Sequence, residues 1–177
     1  MRIELNQAVL RPWRANDVDA LALHANDRAV WRNLRDQFPH PYTREDAVWW
    51  VEQQLAAPVP RHTAVICVED QLAGAIGVVP GKDICARSWE IGYWLGRAFW
   101  GRGIATEALR AFTRYAFEEF PCDRLHAGVF GWNRASARVL EKAGYTLEGC
   151  LRRDVFKDGE YTDHLIYGIL REEAQSK

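Results

Sequence analysis

The sequence contains no apolar run approaching the ~20 residues that a membrane-spanning helix requires. Its opening stretch, MRIELNQAVLRPW, lacks the hydrophobic segment of a secretory leader. Cysteine is scarce and scattered. Cys67, Cys85, Cys122 and Cys150 form no CxxC pair, and no Cys/His cluster has zinc spacing. Such thiols fit a reducing compartment, mostly buried and free, so a cytoplasmic protein is expected. Neither sign of charge is in excess: the formal net charge is -1 over 177 residues. That excludes a nucleic-acid protein working by bulk charge. His24, His40, His62, His126 and His164 show no metal-ligand spacing, so no metal is expected. There is no GxxxxGK[ST] loop, and no GxGxxG near the N-terminus with an acidic residue about 20 positions on. No repeat, low-complexity segment or linker interrupts the chain, so residues 1–177 are expected to form one domain.

What is present is an ordinary globular composition, 48% hydrophobic and 27% charged. Eight tryptophans are many for this length. They serve either as core or as the lining of an apolar groove. Ala8 to Trp13 reads as a first strand stopped by Pro12, and Asn16 or Asp17 as the cap of a helix carrying Val18, Leu21 and Ala22. A second helical piece is expected over Ala29 to Leu34. Thr43, with Asp46 at capping-box distance, opens a helix whose apolar stripe is Val48, Val51 and Leu55.

From Thr63 to Leu95 the period changes to that of strands, and three antiparallel strands are expected. A long helix follows from about Ile104 to Phe120, with Ala105, Ala108, Leu109, Phe112, Tyr115 and Ala116 as its apolar face. RLHAGVF reads as another strand. NRASARVLEKAGY reads as a helix capped by Asn133 and stopped by Gly144. The chain closes with a hairpin turning at Asp158-Gly159.

Between the Glu90–Leu95 strand and the long helix lies WGRGIAT. A helix N-terminus presents unpaired N–H groups and partial positive charge, and phosphate oxygens bind there when the backbone can approach. Gly101 and Gly103 clear that approach and Arg102 adds a cation. The stretch reads either as a pyrophosphate cradle or as a glycine turn that merely starts the helix.

The order of elements, with LRPW, FPHPYT, EIGYWL, FWGRGIATEAL, NRASARVLEKAGY and LEGCLRR…KDGEYTDHLIYGIL in sequence, resembles the GNAT superfamily of acyl-CoA-dependent N-acetyltransferases. Within it, these segments resemble the branch named for ribosomal-protein N-terminal acetyltransferases, the RimJ/RimL type. The resemblance covers nearly the whole chain. It implies an α+β, three-layer fold: a central, mixed but mostly antiparallel sheet of about seven strands flanked by helices. It implies acetyl-CoA as cosubstrate, no metal, an amine acceptor, and a homodimer as one possible assembly. Nucleic acid and membrane are not implied as partners. One departure stands out: Trp100 occupies the Q/R position of the family's Q/R-x-x-G-x-G/A motif, followed by Gly101, Arg102, Gly103, Ile104 and Ala105.

The same resemblance distributes roles. Acetyl-CoA is implied in a splay between the Glu90–Leu95 and Arg124–Phe130 strands. Pantetheine then pairs with backbone near Trp94 and Leu95, and the Leu95 N–H polarises the thioester carbonyl. Gly101 through Thr106 take the pyrophosphate. Glu90, on the strand face shared by Ser88, Gly92 and Trp94, is implied as the base, often acting through water. Asn133 contacts the cofactor arm, and Ser136 lies near the sulfur as proton donor. Each has a plainer explanation: Glu90 as a surface or arginine-paired glutamate, Asn133 and Ser136 as helix caps. Arg138 and Lys142 meet either phosphates or solvent, and His40 lies in a loop that either borders the acceptor or is structural.

The acceptor's own chemistry gives a preference. An α-amine titrates near 7.7–8.0 and a lysine near 10.4, so at neutral pH the lysine costs about 3 kcal/mol more to deprotonate. One ordinary carboxylate suits an α-amine, in keeping with a protein or peptide N-terminus. Polyamines, amino acids and drug amines stand as the alternative acceptors, and a non-catalytic acyl-CoA sensor as the alternative class.

Overall fold

The computed structural model describes residues 1–175. The elements run β1 (Ile3–Glu4), β2 (Val9–Arg11), α1 (Val18–Ala25), α2 (Arg28–Trp31), α3 (Arg44–Ala56), β3 (Thr63–Val68), β4 (Gln71–Val79) and β5 (Ser88–Leu95). They continue with α4 (Ile104–Glu119), β6 (Arg124–Phe130), α5 (Arg134–Ala143), β7 (Thr146–Lys157), β8 (Glu160–Leu170) and α6 (Arg171–Gln175). The eight strands form one sheet in the order β1-β2-β3-β4-β5-β6-β8-β7. The β1–β2, β2–β3, β3–β4, β6–β8 and β7–β8 ladders are antiparallel, and β5–β6 is parallel. This is the mixed, mostly antiparallel architecture expected, with eight strands instead of about seven. β1 is the strand the sequence hides: two residues are too short to show alternation.

The chain divides into two compact units, Met1–Gly77 with Tyr93–Ala108, and Val78–Gly92 with Leu109 onward. In the first, a core of Trp13, Leu21, Ala25, Tyr42, Val51, Val65 and Leu72 joins α1 and α3 to strands β3 and β4. The Thr43–Asp46 capping box forms as the spacing requires. The apolar stripe of α3 differs from expectation: Ala47 and Val51 are buried, while Leu55 is exposed. Helix α2 is shorter than expected, four residues capped by the Asp27 carboxylate, which accepts from the Ala29 N–H.

Asp17 precedes α1, but its side chain makes no cap bond to that helix. It takes Arg11 instead. Both guanidinium Nη atoms donate to the carboxylate, at 2.9 and 2.6 Å, and the Arg14 N–H donates to it at 2.8 Å. Both side chains are only 3% exposed. The hydrogen bonding of Arg11 to the Asp17 carboxylate is the main cause holding the Arg11 pKa well above its ordinary value. A buried charge is tolerated only when paired in this way.

In the second unit, β6 pairs along all seven of its residues with β8, from Arg124↔Leu170 to Phe130↔His164. On its other side it pairs with β5 over Ser88↔Arg124, Trp89↔Leu125 and Glu90↔His126. The β7–β8 hairpin turns at Asp158 and Gly159, both at positive φ (55° and 79°), the signature of a tight two-residue turn. Helix α5 is capped by Asn133 and ends at Gly144 with φ 98°. The Thr113 and Tyr145 hydroxyls, 2.7 Å apart, tie α4 to Tyr145, two residues past the end of α5. Of the four cysteines, Cys67 and Cys122 are buried and Cys85 and Cys150 exposed, so half rather than most are interior.

Replacing Asp17 by alanine leaves the Arg11 guanidinium buried without its partner. We expect a loss of about 3–5 kcal/mol in unfolding free energy by urea denaturation. A loss below about 1 kcal/mol would show that Arg11 reaches water by relaxation.

Candidate active site

Strand β5 ends at Leu95, where the next N–H, that of Gly96, donates to the Ala73 carbonyl at 2.8 Å. A 3-10 turn over Arg97–Phe99 follows, then the glycine loop, then α4. Gly101 and Gly103 lie at φ +74° and +81°, a backbone region that favours glycine. A Cβ at either would meet no heavy atom within 4 Å, so open space faces both. Here a sixteen-residue helix begins behind a backbone that a ligand can approach closely. Ile104 is buried and anchors the first turn, and Ala105 and Thr106 are half-buried beside it. The arrangement can hold phosphate oxygens on N–H groups, with Arg102 adjacent.

Trp100 has its own job. Its indole Nε1–H donates to the Leu95 carbonyl at 2.8 Å, pinning the loop back to the end of β5. Two residues that sequence reasoning missed brace the loop from the N-terminal segment. Gln7 Nε2 donates to the Arg102 carbonyl at 3.2 Å. Asn6 donates to the Glu107 carboxylate from its backbone N–H at 3.1 Å and from Nδ2 at 2.6 Å. Glu107 sits in the first turn of α4, where a carboxylate competes with any bound anion, and Asn6 occupies both its oxygens. No motif spacing links residues about a hundred positions apart. The Trp94 ring packs edge-on against Phe38 at 5.7 Å as part of the unit's interior. His40, in the FPHPYT loop, stacks on Trp31 at 5.3 Å.

Glu90, Asn133 and Ser136 belong to the second unit. On β5 the expected alternation holds at its centre: Trp89 and Ile91 are buried, while Ser88 and Glu90 are half-buried on the other face. Glu90 stands directly beside His126, its partner in the parallel ladder, so their side chains share a face. The same face carries a polar network absent from the sequence reading. Arg124 Nη1 donates to Ser88 Oγ at 2.6 Å, and Ser88 Oγ lies 3.4 Å from His126 Nδ1. Arg124 is also paired with Glu148. The Glu148 carboxylate reaches it by crossing Gly168, where a Cβ would overlap its oxygens. Burial, reinforced by Arg124, lowers the His126 pKa, against weaker opposing attraction from Glu90 and Glu148. His126 is therefore neutral at pH 7.

Asn133 accepts from the Ser136 N–H at 3.2 Å, so these two are brought together by the cap itself. Arg138 pairs with Glu141 at 2.9 Å one turn along the exposed side of α5, the ordinary behaviour of a solvated helix face. Among the described residues no group of three or more His, Cys, Asp or Glu could hold a metal ion. None of the described helices is long and apolar enough to cross a membrane.

A loop of this form between a strand and a helix, inside this strand order, defines a class. Residues 7–146 match the Acetyltransferase (GNAT) domain family. The chain belongs to that family and is an acetyl-CoA-dependent N-acetyltransferase. It is 40% identical over 102 residues to the probable N-acetyltransferase YjcK of Bacillus subtilis (strain 168), a stretch covering 58% of this chain and 56% of that protein. It is 29% identical to the SPbeta prophage-derived uncharacterized N-acetyltransferase YokL of the same strain, over 89% of this chain and 87% of that one. Among solved structures it is similar to Mycobacterium smegmatis RimJ in complex with CoA-disulfide, with TM-score 0.80 and 26% identity over 94% of this chain and 83% of that one.

His24 and His126 both have pKa values lowered by burial. As pH falls through the ordinary histidine range, near 6.5, the unfolded chain binds protons that these two refuse in the folded state. Stability should therefore be full above that range and decline below it. Urea unfolding at pH 7.5 and 5.5 tests this. The acid loss should shrink in His24→Gln, and a flat profile would contradict the burial of both rings.

Proposed function

We propose that this chain, acting as a single cytoplasmic acetyltransferase domain, transfers the acetyl group of acetyl-CoA to a protein or peptide N-terminal α-amine. The observation that carries the reading is the loop at Gly101 and Gly103, whose positive φ values and open surroundings let a pyrophosphate approach the start of α4. Gly101, Arg102, Gly103, Ile104, Ala105 and Thr106 would hold the phosphates. Backbone groups at Trp94 and Leu95 would pair with the pantetheine arm, and Asn133 would contact it as well as cap α5. Bound acetyl-CoA supplies an activated acyl thioester.

Glu90 acts as general base, through water, on the attacking amine. Glu90 is half-buried beside His126 on one face of the sheet, and a carboxylate there can accept a proton from an attacking amine. The Leu95 N–H donates to the carbonyl oxygen as negative charge develops there. Ser136 supplies a proton to the leaving sulfur, whose thiol pKa near 8.5 makes a strong acid unnecessary. The choice of an α-amine rests on its modest pKa, within reach of one ordinary carboxylate. The likeness to RimJ supports the same branch.

Thiol release from acetyl-CoA, run against N-terminal peptides, polyamines and amine drugs, tests the acceptor. Peptides should turn over fastest. Turnover of polyamines alone would move the assignment to a small-molecule enzyme, and tight acetyl-CoA binding without any turnover to a sensor. Gly103→Asp sets a carboxylate against phosphate and should weaken acetyl-CoA binding at least ~10-fold by calorimetry. Glu90→Gln should lower kcat about 100-fold at neutral pH, with partial recovery at high pH. A wild-type pH profile from that variant would remove Glu90 as base.

A further inference from the structure

The N-terminal turn meets the glycine loop from about a hundred positions away, and both of its contacts there bear on phosphates. Strands β1 and β2 pair as Ile3↔Leu10 and Glu4↔Val9, which leaves Leu5 to Ala8 as their turn. The Leu5 N–H closes it on the Ala8 carbonyl at 2.9 Å. Leu10 is fully buried, and β2 pairs with β3 from Val9↔Cys67 to Arg11↔Val65. The turn is thus fixed to the sheet at its base, while Asn6 and Gln7 at its tip are exposed. These residues, the glycine loop and the first turn of α4 lie in one compact unit.

Glu107 gives Asn6 its purpose. It lies one helical turn past Gly103, whose carbonyl accepts its N–H at 3.2 Å. Helical side chains tilt toward the helix N-terminus, so this carboxylate leans back over the first turn of α4. The N–H groups there attract it as they attract a phosphate. Left unrestrained, it would compete for the same donors and repel the phosphates. Asn6 takes hold of it from the side of the N-terminal turn. Nδ2 donates to Oε1 at 2.6 Å, and the backbone N–H donates to Oε2 at 3.1 Å. A bond to each oxygen fixes both the place and the rotation of the carboxylate.

Gln7 acts on the loop itself. Its Nε2 donates to the Arg102 carbonyl at 3.2 Å. The peptide that follows Arg102 is trans, so its C=O and the Gly103 N–H point to opposite sides. Holding the oxygen against the N-terminal turn therefore turns the Gly103 N–H away from that turn. Open space surrounds the position a Gly103 Cβ would take.

We propose that the β1–β2 turn is a strap that sets acetyl-CoA affinity: Asn6 holds the Glu107 carboxylate off the phosphates, and Gln7 aims the Gly103 N–H at them. This rests on the reading of the glycine loop as the pyrophosphate site. Asn6 and Gln7 are positioning residues and touch no reacting atom. Both act before the cofactor arrives, so the loop loses little freedom when it binds.

Calorimetry of acetyl-CoA binding separates restraint of an anion from simple bracing. Asn6→Ala should weaken binding about 5-fold, the effect of a carboxylate freed at a helix N-terminus. Glu107→Gln alone should bind no more weakly than wild type. The double variant Asn6→Ala/Glu107→Gln should recover to within about twofold of wild type, because the charge that Asn6 restrains is gone. Gln7→Ala should weaken binding about threefold, and adding Glu107→Gln should not restore it. Wild-type affinity in Asn6→Ala or in Gln7→Ala, weaker binding by Glu107→Gln alone, or a double variant as weak as Asn6→Ala would overturn the strap while the pyrophosphate site stood. Wild-type affinity in Gly103→Asp would overturn the site, and the strap's role with it.

Discussion

Strand β5 pairs with β6 in parallel, and parallel neighbours cannot be joined by a tight turn. The chain must leave the end of β5, cross over and return, and α4 is the crossover. Much of what concerns chemistry follows from this constraint. The loop that opens the crossover helix has to reverse direction after Leu95, and it does so with Gly101 and Gly103 at positive φ and Trp100 tied back to the Leu95 carbonyl. An unobstructed helix N-terminus at the carboxyl end of a strand is the result, a place suited to anions for the same electrostatic reasons in any fold.

The same parallel ladder sets the neighbour of Glu90. Only strand pairing puts His126 beside it, and only the antiparallel β8 brings Gly168 and His164 onto that face. Small residues then decide what fits. Glu148 reaches Arg124 across one glycine, and His164 leans onto β6 over another. Charge is arranged with equal economy. Arg124 sits between Glu148 and Ser88 and helps keep His126 neutral. Glu107, the one acidic residue in the first turn of α4, is occupied by Asn6. In the interior of the other unit, the Arg11 Nη atoms are paired with Asp17 where water is excluded.

Legibility in the sequence tracked the range of the interactions involved. The Thr43 box, the Asn133 cap, the Gly144 stop and the Asp158-Gly159 turn were all readable, because each depends on residues a few positions apart. The glycine loop was readable as well, since its glycines and helix are contiguous. Asp17 does stand at the N-cap position of α1, but its carboxylate goes to Arg11, a partner chosen by burial rather than spacing. The stripe of α3 was misplaced by one residue in register, to Val48 and Leu55 rather than Ala47, because tertiary packing selects which side of a weakly amphipathic helix is covered. β1 was too short to register at all.

By itself the sequence determined most of the elements, their order, several of their caps and the glycine loop, since backbone hydrogen bonding and φ preferences act over three or four residues. It also carried the family likeness, which is a property of that order. The tertiary structure alone decided the company each side chain keeps: His126 at Glu90, Glu148 at Arg124, Asn6 at Glu107 and Asp154 at His164. Three of these pairs join residues far apart in the chain, and in the fourth nine intervening positions are folded back by a hairpin with an irregular register. Strand register, glycine-sized gaps and exclusion of water fix such pairs, and none of those quantities exists until the chain has folded.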